Sequence, residues 1–220
     1  MKEVKIRLLY PSTVKHEEVE AALKAFGKFS GFGVLHDHAA VEGQDALRGV
    51  RNGKSVRSIV TSPSPTVQHY DFMPGISEIF FTKDIIPMAL TPNRMVELVD
   101  NGLDYLKGEP RIGVARQGEG AVVSLFRIRQ LSPEGVMMDG APYRLEAETG
   151  LRAKAIEVAV GHELGHVLGR KSHCPTSGCI MQENENFIDF VERFVKQRVD
   201  FCRECCSVIG SNVNRMQYDF

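Results

Sequence analysis

The chain has 220 residues and a formal net charge of −1; 43% of its residues are hydrophobic and 25% are charged. These values are ordinary for one folded globular domain, and the near-neutral charge gives no indication of a nucleic-acid partner. No stretch approaches the roughly 18–20 apolar residues of a membrane span, and no apolar core of signal-peptide length follows the N-terminus. We therefore expect a cytoplasmic monomer that binds neither nucleic acid nor membrane.

The first predicted elements are a strand and a helix. Residues 2–10 alternate apolar and charged side chains, which predicts a half-buried strand. Residues 15–27 place apolar side chains at helical spacing and end at Gly27, which predicts an amphipathic helix.

A short second strand is predicted at Phe32–Leu35, and the sequence His36-Asp37-His38 follows it. Two histidines two positions apart on a strand point to the same side, so this pair could chelate a metal ion. An exposed loop is the simpler interpretation, because no second carboxylate or thiolate group lies nearby in sequence.

The middle of the chain is predicted from shorter patterns. They indicate a short helix at Gln44–Asn52 and strands at Val56–Val60 and Ile79–Thr82. A longer helix is predicted from Thr91 to Leu106, with Pro92 at a position where the first helical turn tolerates proline.

A hairpin is predicted next, because the β-rich runs Ile112–Ala115 and Val122–Ile128 flank Gly118-Glu119-Gly120. Residues 131–144 contain two prolines and two glycines and are predicted to form a loop. A last helix is predicted at Asn184–Phe201, where apolar residues repeat at helical spacing.

The helix predicted at residues 145–168 carries the sequence HELGH, from His162 to His166. Residues four apart on a helix lie on nearly the same face, so these two histidines can offer two imidazole nitrogens to one zinc ion. Glu163 lies beside the first histidine, where it can act as a general base. A bare H-E-x-x-H also occurs on unrelated solvated helices, but here the helix is apolar and further signals follow it.

Those further signals are Gly169, which is typical of the end of a helix, and His173, which could close the metal site as a third ligand. Two cysteines, a methionine and two more cysteines then follow, at Cys174, Cys179, Met181, Cys202 and Cys205. The whole pattern resembles the archaemetzincin signature HExxHxxGxxHC-x4-C-x-M-x17-CxxC, over about a quarter of the chain. Archaemetzincins are zinc metallopeptidases of the metzincin clan.

The resemblance implies a role for each residue that matches the signature. His162, His166 and His173 would hold a catalytic zinc ion, and Glu163 would take a proton from a zinc-bound water. Met181 would form the methionine turn beneath the metal. A second, structural zinc ion would be held by Cys174, Cys179, Cys202 and Cys205, so the implied cofactor is two zinc ions per chain.

The sequence departs from the signature in two places. The third histidine is expected at position 172, but Ser172 stands there and His173 comes one residue later, so a bulge would have to return it to the metal. Twenty residues rather than seventeen separate Met181 from Cys202, a difference that about one extra helical turn would absorb.

All five cysteines lie between positions 174 and 206. This clustering, in a C-x4-C and a distant C-x-x-C, is typical of a structural zinc site, and a reducing compartment would keep the thiols free. Scattered buried cysteines are the alternative. Cys206 is the spare thiol by spacing, although it could exchange with Cys205.

The resemblance also implies the fold class: an α+β (α/β-like) metzincin-type domain. It would have a twisted mixed sheet, a packed active-site helix and a small C-terminal helical subdomain. We expect residues 1–169 to form the N-terminal part and residues 170–220 the C-terminal part with the methionine turn and the cysteine site. An extended peptide substrate would add as a strand to a sheet edge. Val123–Phe126 is the expected edge, and an internal strand paired on both sides is the alternative.

We therefore expect a zinc metallopeptidase, with Glu163 as the general base. The alternative is a metzincin-like zinc- and peptide-binding protein with weak or no protease activity, because its third histidine is offset by one residue. A structural zinc protein that uses only the cysteine site would leave the Glu163 helix unexplained.

Overall fold

The computed structural model shows an α+β chain in which helices pack on a five-stranded mixed sheet. It describes residues 4–11, 14–41, 50–51, 54–55, 94–99, 112–117, 120–129, 131, 136–138, 141–143, 150–170, 172–184, 186–197 and 199–218. The strands are β1 (Val4–Pro11), β2 (Val34–Val41), β3 (Val50–Arg51), β4 (Lys54–Ser55), β5 (Arg94–Val99), β6 (Gly113–Arg116), β7 (Gly120–Ser124), β8 (Val136–Met138) and β9 (Ala141–Tyr143). The helices are α1 (His16–Gly27), α2 (Phe126–Arg129), α3 (Leu151–Leu168), α4 (Phe187–Phe190, continued by a π-helical turn at Val191–Val195) and α5 (Arg203–Tyr218).

The main sheet is mixed, as predicted. Strands β2, β1, β5 and β7 run parallel in that order, and β6 pairs with β7 in the antiparallel direction. The predicted hairpin is confirmed as β6 and β7, with Val114 opposite Val122. Among the described strands, β6 therefore forms one edge of this sheet and β2 forms the other.

The first strand and helix bury the faces that their patterns predict. Ile6 and Leu8 of β1 are almost fully buried, and so are Ala22 and Phe26 of α1. Fully burying a side chain as large as Phe26 contributes about 1.5–3 kcal/mol, so these contacts anchor α1 firmly to the core.

Helix α3 is the central element of the fold. It packs against α1, β6, β7 and α5, and one buried apolar cluster runs from Val4 in β1 to Val213 in α5. Residues on both sides of position 169 therefore share a core. The division into parts 1–169 and 170–220 stays a prediction. No helix in the described ranges has both the length and the apolar composition that crossing a membrane requires.

The predicted helix from Thr91 to Leu106 is wrong over the six residues that the structure describes, because they form β5. A short apolar run can fit either the helical or the strand period, and pairing decides between them. Here β5 lies between β1 and β7 and pairs with both, with Ile6 opposite Arg94 and Glu97 opposite Val122. The backbone partners on two sides override the local helical pattern.

Smaller corrections concern the connecting segments. The predicted helix Gln44–Asn52 is wrong at Val50–Arg51, which form β3, and its first six residues lie outside the described ranges. The strands predicted at Val56–Val60 and Ile79–Thr82 lie outside them too. The loop predicted at residues 131–144 contains the antiparallel pair β8 and β9.

The C-terminal part also differs from its prediction. The expected helix Asn184–Phe201 ends early, as α4 and its π-helical turn, and Asp200 instead forms a bridge with Cys179. Helix α5 was not predicted. It buries Cys205, Ile209 and Val213, whose spacing of four residues is helical.

An ion pair ties α1 to α2 beside the sheet. The buried carboxylate of Glu18 accepts from Arg129 Nε at 2.7 Å and from Nη2 at 2.6 Å, and also from the Lys15 backbone N–H at 2.9 Å. Burial alone would raise the pKa of Glu18, but these hydrogen bonds and the guanidinium charge lower it overall. The pair therefore stabilises the fold most when Glu18 is ionised.

We expect Glu18→Gln to lower the free energy of unfolding at pH 7 by about 2 kcal/mol, since it removes a charged, hydrogen-bonded partner of Arg129. The folded-state pKa of Glu18 is lowered, so its contribution is fully present above the unfolded-state pKa and is lost as the pH falls through the folded-state value. The difference between variant and wild type should therefore shrink in acid. Denaturant titrations at pH 7 and in acid measure the free energy of unfolding of each protein. The control is Glu20→Gln, because the side chain of Glu20 is exposed. A difference that does not depend on pH would contradict this account.

Candidate metal centre

Two histidines of α3 turn the same ring nitrogen toward each other. Nδ1 of His162 donates to the Ile180 carbonyl at 2.7 Å, and Nδ1 of His166 donates to the Arg170 carbonyl at 2.6 Å. A carbonyl only accepts, so both Nδ1 atoms carry the proton and both Nε2 atoms keep a lone pair. The two Nε2 atoms lie 3.1 Å apart, an arrangement that is repulsive for two lone pairs and favourable around a cation.

Both rings are held neutral. Burial, with smaller contributions from the neighbouring histidines, lowers the pKa of His162 to about 3, and burial likewise lowers that of His166 to about 4. Neutral imidazole is the form that binds a metal, so neither ring must lose a proton to become a ligand at pH 7.

His173 completes the group from the loop after α3. Its ring centroid lies 5.2 Å from that of His162 and 5.0 Å from that of His166. Zinc–nitrogen bonds of 2.0–2.1 Å place tetrahedral ligands about 3.3 Å apart, and the 3.1 Å between Nε2 of His162 and Nε2 of His166 is close to this value. The ligand nitrogens of all three histidines lie within 4.8 Å of one another, so His173 is held less closely to this spacing, and its side chain is 41% exposed.

Glu163 lies against the edge strand β6. Its side chain is buried, and Gly113 of β6 approaches it so closely that a Cβ at Gly113 would lie 2.6 Å from Oε1 and 2.7 Å from Cγ. Only a residue without a side chain fits there. A glycine inside a strand often marks such a close approach, and this signal was available in the sequence.

Met181 lies beneath α3 in the turn after Cys179. It is fully buried, and a Cβ at Gly165 would come 2.2 Å from its sulfur. The same turn supplies the Ile180 carbonyl to His162, and the Met181 carbonyl accepts from the Cys174 N–H at 2.7 Å. This turn therefore supports one histidine directly and the loop of His173 through Cys174.

The end of α3 is held by two side chains from other elements. The Gly169 carbonyl accepts from Gln117 Nε2 at 3.1 Å and from Asn212 Nδ2 at 2.9 Å. Gly169 has φ of 149°, where a side chain is strained, and a Cβ there would lie 2.1 Å from Asn212. Gln117 directly follows β6, so this contact also ties the edge strand to the helix.

Four cysteines form a second group. Sγ of Cys174 lies 3.7 Å from that of Cys202, and Sγ of Cys179 lies 3.6 Å from that of Cys205. Zinc–sulfur bonds of 2.3 Å place tetrahedral thiolates about 3.8 Å apart, so this group fits zinc closely. All five cysteines are free thiols, and Cys206 lies outside the group, with its thiol 3.8 Å from the Phe201 carbonyl.

The ionisation of these thiols also fits a cation. Burial raises the pKa of Cys202, but hydrogen bonds led by the Cys205 N–H lower it overall to about 7. Burial raises the pKa of Cys205 and Cys179, and the neighbouring thiols raise that of Cys205 further. Cys202 thus ionises readily, whereas Cys179 and Cys205 would ionise only with a positive charge among the thiols.

Two further binding sites were predicted, a substrate-binding sheet edge at Val123–Phe126 and a metal site at His36 and His38. Val123–Phe126 is wrong as the free edge, because its first two residues belong to β7, which pairs with both β5 and β6. The edge on this side is β6. His36, Asp37 and His38 lie exposed on β2 rather than in a loop. Among the described residues, the groups able to hold a metal are the histidine and cysteine groups above, and this trio is not one of them.

We expect Gly165→Ala to destabilise the fold by about 1–3 kcal/mol, because the added methyl group would overlap the buried sulfur of Met181. Thermal unfolding measures the loss. Gly31→Ala is the matched control, since a Cβ at Gly31 meets nothing within 4 Å. Equal unfolding temperatures for the two variants would show that Met181 does not pack beneath α3 as described.

Residues 143–211 match the family model described as peptidase family M54, which supports a metallopeptidase. No curated protein was found to match the sequence. Residues 143–211 include the seven candidate metal ligands and Glu163.

Two solved structures share the fold. The archaemetzincin from Methanopyrus kandleri is 19% identical, with 97% of each chain covered and a TM-score of 0.58. The archaemetzincin from Archaeoglobus fulgidus, solved with malonate, is 21% identical, with 93% of this chain and 99% of that chain covered and a TM-score of 0.52. The resemblance to archaemetzincins is therefore confirmed: residues 143–211 match peptidase family M54, and the chain has the archaemetzincin fold.

Proposed function

We propose that this protein is a zinc metallopeptidase that hydrolyses peptide bonds in extended substrates. The observation that carries the proposal is the pair of Nε2 lone pairs on His162 and His166, 3.1 Å apart and fixed by two backbone carbonyls. Two lone pairs held this close repel each other unless a cation binds between them. Histidines that bind a metal through one ring nitrogen typically donate from the other to a carbonyl group, as both histidines do here. The match to peptidase family M54 supports the same conclusion.

His162, His166 and His173 would hold the catalytic zinc ion, and the cysteine group would hold a structural one. When bound by three imidazoles, zinc leaves a position open for water and polarises a carbonyl group. Four thiolates close the shell of the second ion, which would then fasten α5 to the loop of His173. The free thiols are consistent with a reducing location, and we propose that the protein is cytoplasmic.

Glu163 would move the proton. Its carboxylate accepts a proton from the attacking water as the water oxygen bonds to the scissile carbonyl carbon. It then delivers that proton to the amine nitrogen as the carbon–nitrogen bond breaks. The burial of Glu163 beside β6 supports this role, because it keeps the carboxylate in one place next to the strand that the substrate would join.

The edge strand β6 would bind the substrate. Its one partner among the described strands is β7, so its other side can add an extended peptide by backbone hydrogen bonds. Gly113 of this strand touches Glu163. A peptide that pairs with β6 would therefore bring its backbone close to the general base, and specificity would come from side-chain pockets along the strand. The protein would act as a monomer, without a nucleic-acid or membrane partner.

The alternative is a protein that binds zinc and peptides but hydrolyses them slowly or not at all. The exposure of His173 and the loose fit of the histidine group favour it. Deleting Ser172 restores the family spacing and separates the two proposals. A large gain in hydrolysis would mean that the offset limits the native protein, whereas an active wild type with no gain would support the peptidase.

We expect two zinc ions per chain in wild-type protein purified without chelator, and one in His162→Ala. Glu163→Ala should keep both ions and lower kcat on a library of extended peptides by about 100–10,000-fold, because it removes the general base. Elemental analysis and peptide cleavage measure the two effects. Retained hydrolysis in Glu163→Ala would exclude the mechanism, and one ion in both the wild type and His162→Ala would exclude the histidine site.

We expect Gly113→Ala to lower kcat while both zinc ions remain bound, because its methyl group would displace the Glu163 carboxylate. Steady-state kinetics and zinc content of the single variants test this. The control is the same substitution in a Glu163→Ala protein, where it should change kcat by no more than about twofold, since coupled residues show non-additive effects. An additive loss would mean that Gly113 acts on the substrate or the fold instead.

A further inference from the structure

Three residues separate Gly169 from His173, where the family signature has two, and the side chain of Arg170 binds the backbone at the far end of this segment. Arg170 Nε donates to the Ser172 carbonyl at 3.1 Å, and Nη2 donates to the His173 carbonyl at 3.5 Å. The guanidinium group of Arg170 thus binds two carbonyls that follow it within three residues. A planar fork with several donors suits two adjacent carbonyls better than a single ammonium group would.

The guanidinium is held in place from the other side by α5. Nη1 donates to Glu204 Oε1 at 3.1 Å, and only 11% of the Arg170 side chain is exposed. The guanidinium of Arg170 therefore lies between Glu204 of α5 and the carbonyl of His173.

The backbone of the same residue serves the other end of the site. Its N–H donates to the Gly165 carbonyl at 3.1 Å, and its own carbonyl accepts from Nδ1 of His166 at 2.6 Å. Arg170 thus contacts one histidine ligand through its backbone and another through its side chain. These two contacts fix the position of the loop relative to α3.

We propose that Arg170 is a positioning residue that compensates for the extra residue in this loop and brings His173 to the metal. The inference deepens the proposed function, because it rests on the histidine group as a zinc site. It assigns a role to a residue that lies outside the H-E-x-x-H pattern and outside the candidate ligands. Removal of the guanidinium should release the loop and weaken the histidine site without touching a ligand.

The experiment is a zinc titration against a chelator of known affinity, which yields a dissociation constant for each site. We expect Arg170→Gln to raise the zinc dissociation constant of the histidine site by about 10–100-fold, which is the usual effect of losing a residue that orients a metal ligand. Arg170→Lys keeps the positive charge but loses the planar guanidinium group with its several donors. It should raise the dissociation constant of the histidine site by a similar factor. The control Arg152→Gln removes an arginine whose partner is the distant Leu131 carbonyl, and should change nothing. In every variant the cysteine site should keep its ion, which shows that the fold persists.

A double-mutant cycle with His173→Ala then tests the route of the effect. If Arg170 acts through His173, Arg170→Gln should change zinc affinity by no more than about twofold once His173 is absent. An undiminished loss in that background would overturn the inference, and so would two bound ions of unchanged affinity in Arg170→Gln. A wild type that takes zinc only in its cysteine group would overturn the proposed function and this inference together.

Discussion

The hydrogen bond from Nδ1 of His162 to the Ile180 carbonyl is the contact on which the site depends. It fixes the tautomer of the ring and joins α3 to the turn beneath it. The turn can pack against α3 because Gly165 has no side chain, which leaves room for the sulfur of Met181. Through the Cys174 N–H it also supports the loop of His173. The turn matters for the histidine group because the third histidine comes from the loop after α3 and not from the helix itself.

Much of the site follows from the sequence because its spacing is local. His162 and His166 are one helical turn apart, and a helix of any origin would bring them together. The four cysteines of the second group are also the two pairs that the sequence spacing predicts, but each close sulfur contact joins a cysteine of one pair to a cysteine of the other. Local geometry thus determines which two histidines of α3 meet. It does not determine how the pairs approach each other.

The elements that sequence patterns missed are those fixed by distant partners. Arg94–Val99 carries a helical pattern but forms β5, because strands on both sides satisfy its backbone groups. Among the described strands, β6 rather than β7 lies at this edge of the sheet, and strand order is not visible in either strand alone. A glycine in a strand indicates a close approach at Gly113, but the sequence does not show that Glu163 is the side chain that approaches it, nor that Met181 packs against Gly165. Nothing in the sequence around Arg170 indicates that its side chain binds the carbonyls of Ser172 and His173.

The adjacency of His173 and Cys174 would couple the two proposed zinc sites. A single peptide bond separates a residue of the histidine group from a residue of the cysteine group, and the Cys174 N–H also donates to the Met181 carbonyl. An ion in the cysteine group would restrict the backbone on which His173 sits, so less conformational entropy would remain to be lost when the histidines bind theirs. By reciprocity, the histidine ion would tighten the cysteine site by the same factor. Zinc supply to the cell would then act on both ions cooperatively, and scarcity would remove hydrolysis and rigidity together.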